Sequence, residues 1–173
     1  MYFQYPLEAL ARSRAGASQL DFAHEARRAL ADSDEVLYEP LDRGLAIFAA
    51  NEDALEAPRR VLHDLYGDVV ELRHPKVRYM PGEPRLEPIM HVRIAARREH
   101  ADAILQELRA RRARILEHSV RPRDFVVRAE APLAVLLGLP ALLDVITGGH
   151  AAHAIRLLRY APLPTDPGPP EAA

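Results

Sequence analysis

The strongest constraint on this chain is an order of strand-period and helix-period segments that runs through once and then recurs about 80 residues later. In the first pass Ser18 caps a helix running to about Asp32, because Leu20, Phe22, Ala23, Ala26 and Leu30 fall within about half the circumference. EVLYE and GLAIFAA are β-rich runs separated by Pro40-Leu41-Asp42-Arg43, which reads as a hairpin turn closed by Gly44. NEDALEAPRRVLHDLYG follows as a second helix, capped by Asn51, striped by Leu55, Val61, Leu62 and Leu65, and ended by Gly67. Pro58 either kinks that helix or sets a later start near Glu56. VVELRH and HPKVRYM are extended, and Pro81-Gly82-Glu83-Pro84 is a turn-rich joint.

Beyond the joint the order repeats. PIMHVRI alternates Met90, Val92 and Ile94 against His91 and Arg93, as a half-buried strand does, and Ala101, Ile104, Leu105 and Leu108 make a helical stripe. RILEHSV and FVVRAEAP form the next strand pair. Leu139, Leu142, Leu143 and Ile146 mark a short helix with Pro140 in its first turn, and HAAHAIRLLRY is the last strand. A β-α-β-β-α-β order is the split βαβ, or ferredoxin-like, unit: a four-stranded antiparallel sheet with both helices on one face. The expectation is therefore an α+β protein of two tandem ferredoxin-like domains, residues 1–82 and 86–164. TDPGPPEAA, residues 165–173, lacks the apolar content to fold and is expected to be a disordered tail. Such a fold hosts many unrelated activities, so function has to be argued from sites.

Composition removes several classes. The absence of cysteine excludes a disulfide scaffold, thiolate catalysis and Cys-ligated zinc, and it fits a reducing cytoplasm. No stretch approaches the ~20 apolar residues that span a bilayer, and MYFQYPLEALARSR has no signal-peptide pattern, so a soluble protein without a membrane partner is expected. Lys76, the single lysine, follows Pro75, so no G-x-x-x-x-G-K-[ST] phosphate loop exists and GTP or ATP hydrolysis of that class is out. The net charge of −2 hides an asymmetry: residues 1–85 carry 11 basic and 15 acidic side chains, residues 86–164 carry 12 and 8. That split is either chance variation or the mark of a second half that faces a polyanion.

Gly148-Gly149-His150-Ala151-Ala152-His153 invites a metal or phosphate reading. On a strand, however, residues of odd separation face opposite ways. His153 lines up with Ile155 and Leu157 as a packed histidine on the helix-covered face, and His150 is a turn residue. Gly148-Gly149 follows the C-terminal end of a helix, where the dipole repels anions, so it reads as a C-cap. Neither a metal site nor a cofactor is expected.

Residues 87–164 resemble the last domain of elongation factor G and related translational GTPases. The resemblance rests on EPIM, on LQELRARRARI where the family has Arg-Arg-Gly-x-Ile, and on RAEAPLAVLLG against R-A-x-V-P-L-x-x-x-x-G. It rests also on Thr147, Gly149, Tyr160 and Pro164 against T-x-G-x(10)-Y-x-x-x-P. The first half resembles the family's domain III: Glu52, Leu55 and Glu56 match G-M-G-E-L-H-L-E while Asn51, Asp53 and Ala54 depart, and Pro75, Val77 and Tyr79 match G-K-P-x-V-x-Y. The halves join directly through Pro81 to Arg85, an arrangement similar to that of BipA and LepA, with no GTPase or barrel before them and no domain IV between. The resemblance implies a place on the large ribosomal subunit near the sarcin-ricin loop and the stalk base. The family's Asp-Leu-Arg-Ser segment becomes Leu142-Leu143-Asp144-Val145 here, and its Arg after the Gly becomes His150, which weakens phosphate neutralisation there.

Arg109, Arg111, Arg112 and Arg114, with Arg121 and Arg123 in the next turn, are the candidate nucleic-acid contacts, since arginine forks suit phosphate. Arginines at a helix C-terminus also complement its dipole, and that reading stays open. Glu52 and Glu56 sit in a first helical turn, where acids are favoured, without a nucleophile or second acid beside them. The expected product is a non-catalytic, truncated translation-factor homologue, with the ribosome, its rRNA and stalk-base proteins, as partner and no GTP. A protein-interaction or homodimerising module and a small-ligand sensor are the alternatives. The first would show a basic surface continuous from Arg109 to Arg123, the second an exposed apolar patch, the third a pocket between the units.

Overall fold

Each half of the chain builds its own antiparallel sheet. The computed structural model describes residues 3–16 and 18–164; the expected tail, 165–173, lies outside the described residues. The elements are β1 (Leu7–Ser13), α1 (Gln19–Ala29), β2 (Val36–Leu41), β3 (Gly44–Ala49), α2 (Glu56–Tyr66), β4 (Val70–Leu72) and β5 (Lys76–Val77), then β6 (Leu86–Arg97), α3 (Ala101–Ala110), β7 (Arg114–Val120), β8 (Asp124–Pro132), α4 (Leu133–Leu136), α5 (Leu139–Thr147) and β9 (Ala152–Pro162). The sheets run β2-β3-β1-β4, with β5 also on β1, and β7-β8-β6-β9. Both orders are that of a ferredoxin-like unit, so the fold is a tandem pair of them.

Local chemistry accounts for the boundaries. The Ser18 hydroxyl accepts from the Asp21 amide at 3.3 Å and starts α1. That helix ends at Ala29, before the expected Asp32, because Leu30 turns extended and the Arg27 guanidinium donates to the Leu30 carbonyl at 3.1 Å. The hairpin turn is shorter than the sequence suggested: Pro40 and Leu41 remain in β2, with Leu41 opposite Gly44. Pro40 is tolerated because β2 is an edge strand. Gly44 is required by space, since a Cβ there would lie 2.3 Å from the Ala11 carbonyl oxygen. Pro58 sets the later start of α2, at Glu56, after a single 3-10 turn over Asp53–Leu55. Leu65 does not join the apolar stripe and is 58% exposed. The inward row passes through Pro58, Leu62 and Tyr66 instead, and Tyr66 meets the Phe22 ring edge-on at 5.3 Å.

The helix-covered face of the first sheet buries Leu7, Ala9, Ala11, Leu45 and Ile47 against Phe22 and Ala26; that of the second buries Met90, Val92, Ile94, Phe125 and Val127 against Ile104, Leu108 and Leu143. These side chains form one apolar network that continues from one unit into the other. The remaining sheet faces differ. Tyr5, Ala46 and Phe48 make a separate small core on the outer face of the first sheet, closed by Arg78, whose guanidinium stacks 4.6 Å from the Phe48 ring centre. The second sheet turns Arg93, Arg97, Arg128 and Arg156 outward on its corresponding face, all exposed.

Candidate functional site

Three neighbouring residues of the first unit, Asn51-Glu52-Asp53, make the polar junction with the second. Asn51 has two tasks: its Oδ1 accepts from the Ala54 amide at 2.9 Å, capping the 3-10 turn, while its Nδ2 donates to the Ile155 carbonyl at 3.1 Å. The Glu52 carboxylate accepts from the Gly138 amide at 2.8 Å, at the N-terminus of α5. Gly138 has φ 77°, a left-handed conformation that favours glycine, so the cap of α5 is supplied by the other unit. Burial raises the Glu52 carboxyl above its ordinary value, and the Gly138 N–H opposes that shift. Asp53 reaches His153 on β9, with 2.8 Å between Oδ2 and Nε2. The hydrogen bond to Asp53 raises the His153 imidazole above its ordinary value, burial opposes this, and Asp144 adds to it.

His153 stands opposite Ile94, a fully buried residue of the helix-covered face, so the strand parity is as expected. Its polar partner across the units was not legible, since Asp53 is 100 residues away in sequence. Among the described residues no group of three or more His, Asp or Glu side chains is placed to hold a metal. Gly148 and Gly149 have φ 62° and 77° and close α5, with the Gly149 amide donating to the Asp144 carbonyl at 2.9 Å. Thr147 organises this turn: its buried hydroxyl donates to the Leu143 carbonyl at 2.7 Å and accepts from the amides of His150 and Ala151 at 3.2 and 3.0 Å. Tyr160 donates from its hydroxyl to the Phe3 carbonyl at 2.9 Å, tying β9 to the N-terminal segment.

The six candidate arginines do not make one surface. Arg109, Arg111 and Arg112 precede β7 and Arg121 and Arg123 follow it, so seven strand residues, about 20 Å, separate the groups. Arg111 is structural: its Nε donates to Glu107 at 2.6 Å and its Nη1 to the carbonyls of Val135 and Leu137 at 2.7 and 2.9 Å. Arg114 pairs with Glu130 at 2.5 Å, and Arg159 donates to the same carboxylate at 3.2 Å. Hydrogen bonds from Arg114 and then Arg159 hold Glu130 below its ordinary range. Arg109 and Arg112 are exposed and make no ion pair among the described residues; Arg112 carries φ 57° at the end of α3.

Arg121 and Arg123 have other neighbours. The Arg98 amide donates to the Arg123 carbonyl at 3.0 Å, which gathers the β7–β8 turn against the end of β6. There Arg93, Arg97, Arg121 and Arg128 wall a cavity of about 680 Å³. Residue spacing carries no sign of this group, because Arg93 and Arg97 belong to a different strand. A second concavity, about 510 Å³, lies at the junction beside Glu52, Asp53, His74, Asp144 and His153.

Paired ferredoxin-like units, joined by the 51–53 junction and carrying arginines on the second sheet, define a class of fold. Comparison with known proteins then bears on its second half: residues 85–169 match the family described as Elongation factor G C-terminus. The chain is 38% identical over 82 residues to elongation factor G 2 of Hahella chejuensis (strain KCTC 2396), covering 47% of this chain and 12% of that protein. It is 31% identical over 82 residues to the mitochondrial ribosome-releasing factor 2 of Danio rerio, covering 47% and 11%. With that of Bos taurus it shares 35% over 75 residues, covering 43% and 10%. The chain thus spans about a tenth of the length of these curated relatives. A crystal structure of a Thermus thermophilus protein superposes with a TM-score of 0.66 at 19% identity, covering 91% of this chain and 40% of that one, which shows a shared fold. No helix among the described residues is long and apolar enough to cross a membrane.

Proposed function

We propose that this protein is a non-catalytic, ribosome-associated module that engages the factor-binding region of the large subunit. The observation that carries this reading is the match of residues 85–169 to the elongation factor G C-terminus. The names of its relatives, elongation factor and ribosome-releasing factor, belong to the same setting. In this reading residues 1–82 and 86–164 are two domains, the first related to domain III of the factors, and the pair works in the cytoplasm. The 51–53 junction supports it: three hydrogen bonds, to Gly138 at the start of α5 and to Ile155 and His153 of β9, tie the units together. No phosphate-cradling loop is present in the sequence to supply GTP hydrolysis.

The test is co-sedimentation of the purified protein with 70S ribosomes and 50S subunits across a salt series. Saturable pelleting that weakens as salt rises is the expected result. A protein that stays in the supernatant at low salt overturns the proposal. One observation favours a second reading, a protein-interaction module: Val145 on α5 is 78% exposed and Val135 on α4 is 36% exposed. A dimer that forms with rising concentration, detected by sedimentation velocity in the absence of ribosomes, would select it.

A further inference from the structure

We propose that the open face of the second sheet, where Arg93, Arg97, Arg121 and Arg128 wall the cavity of about 680 Å³, is a docking surface for the phosphate backbone of double-stranded RNA. The inference rests on the ribosomal reading above and moves the contact away from the end of α3. Three features of the surface carry it.

The first is an excess of positive charge: Arg93, Arg97, Arg121 and Arg128 line the cavity against two carboxylates, Glu117 and Asp124, the latter opposite Arg97 in the register. Arg128 has a partner, Glu117 on β7, at 2.5 Å. Among the described residues Arg93, Arg97 and Arg121 make no ion pair, and all are exposed. Arg156 on β9, also exposed and without an ion pair among those residues, extends the same face beside His91. The second is a like-charge contact. Arg93 stands directly opposite Arg128 in the β6–β8 register, and like charges in that position destabilise a sheet. A polyanion laid across both strands would turn this repulsion into attraction, and arginine forks match phosphate oxygens.

The third feature selects the kind of nucleic acid. Proteins that hold single strands stack bases on exposed aromatic rings. Here the floor of the cavity is Ala95, Val126 and Ala152, Phe125, which borders it, is fully buried, and the exposed rings of the lining are two imidazoles, His118 and His150. A platform with no exposed Phe, Tyr or Trp ring and only these two small rings at its rim has little area on which to stack successive bases, but it can follow a backbone. Double-stranded RNA is recognised largely through its shape and its phosphates.

The experiment is fluorescence anisotropy with a labelled RNA hairpin and an unstructured RNA of equal length, from 50 to 200 mM KCl, beside the pelleting assay. The variants are Arg93→Glu/Arg97→Glu and, as a control, Arg109→Glu/Arg112→Glu. The wild type is expected to prefer the hairpin. The open-face variant should bind it at least about tenfold more weakly, with a salt slope shallower by about two, while the control loses less. Thermal denaturation of the single variant Arg93→Glu separates binding from folding: it creates an opposite-charge pair with Arg128, so its Tm should rise while RNA affinity falls. A merely structural role for Arg93 predicts a lower Tm instead. Unchanged affinity in the open-face variant, preference for the unstructured RNA, or equal displacement by polyglutamate would overturn the proposal. If that variant pellets with 50S subunits like the wild type, the RNA face is overturned and the ribosomal reading stands. If the wild type ignores ribosomes but binds the hairpin through these arginines, the ribosomal reading fails and the face stands.

Discussion

The two units share one strand order and bury their helix-covered faces alike, yet their outer faces have opposite character. In the first, Tyr5, Ala46 and Phe48 are sealed beneath Arg78; in the second, arginines stand in solvent around a shallow cavity. The difference teaches that topology in a ferredoxin-like unit determines only one face. What the alternate residues of each strand do is free to diverge, because a two-residue period lets the two faces vary independently.

The sharpest way to break this comparison is to truncate one outer-face side chain in each unit. Phe48→Ala should destabilise the protein by about 3–5 kcal/mol, because it empties a closed apolar site, whereas Val126→Ala on the second sheet should cost about 1 kcal/mol or less. Urea denaturation gives both values; equal losses would show that the two faces are alike. Next in size is Glu52→Ala, which leaves the Gly138 amide without its acceptor and should cost about 1–2 kcal/mol. Here the readout is loss of hydrogen-exchange protection at the start of α5, in the other unit from the substitution. Unchanged protection would mean that the units do not support each other through this bond.

Asp53→Asn should have a smaller, pH-dependent effect of about 1 kcal/mol. The His153 value is raised in the folded state above 6.5, so the Asp53 contact stabilises fully below that pH and is lost as pH rises through the folded value. Denaturation midpoints of wild type and variant should therefore differ most in mild acid and converge at alkaline pH. A constant gap would remove the ion pair as cause. The smallest effect compares two helix ends: α2 finishes on Gly67 at φ 52°, α3 on Arg112 at φ 57°. Arg112→Gly should stabilise by about 0.5–1 kcal/mol, read as a modest rise in Tm, because glycine adopts that conformation without cost.

Most of the fold was legible, and for identifiable reasons. Strand and helix periods in Met90-Val92-Ile94 and in Ala101-Ile104-Leu105-Leu108 were strong enough to be read directly, and both sets are buried. Capping residues also spoke locally: Ser18, Asn51, Gly67 and Gly148-Gly149 act within a few positions of themselves. The failures share a cause. Leu65 has the right spacing for the stripe of α2, but Phe22 on α1 draws Tyr66 inward instead. Arg111 has the composition of a phosphate ligand, but two carbonyls of the α4–α5 connection take its guanidinium. The resemblance of the second unit to the elongation factor G C-terminus was readable because Thr147, Gly149 and Tyr160 form a spaced motif, and the match over 85–169 bears it out.

The sequence alone thus determined the order of elements, their caps, the tandem ferredoxin-like plan and the resemblance carried by residues 87–164, since each depends on residues close together or on a fixed spacing. Only the tertiary structure decided which arginines stand together and which acids cross between units. Arg93, Arg97 and Arg121 meet because antiparallel pairing brings the end of β6 to the β7–β8 turn. Glu52 and Asp53 meet Gly138 and His153 because the two sheets dock across the 51–53 segment. Contacts of that range depend on register and docking, which a one-dimensional pattern does not contain.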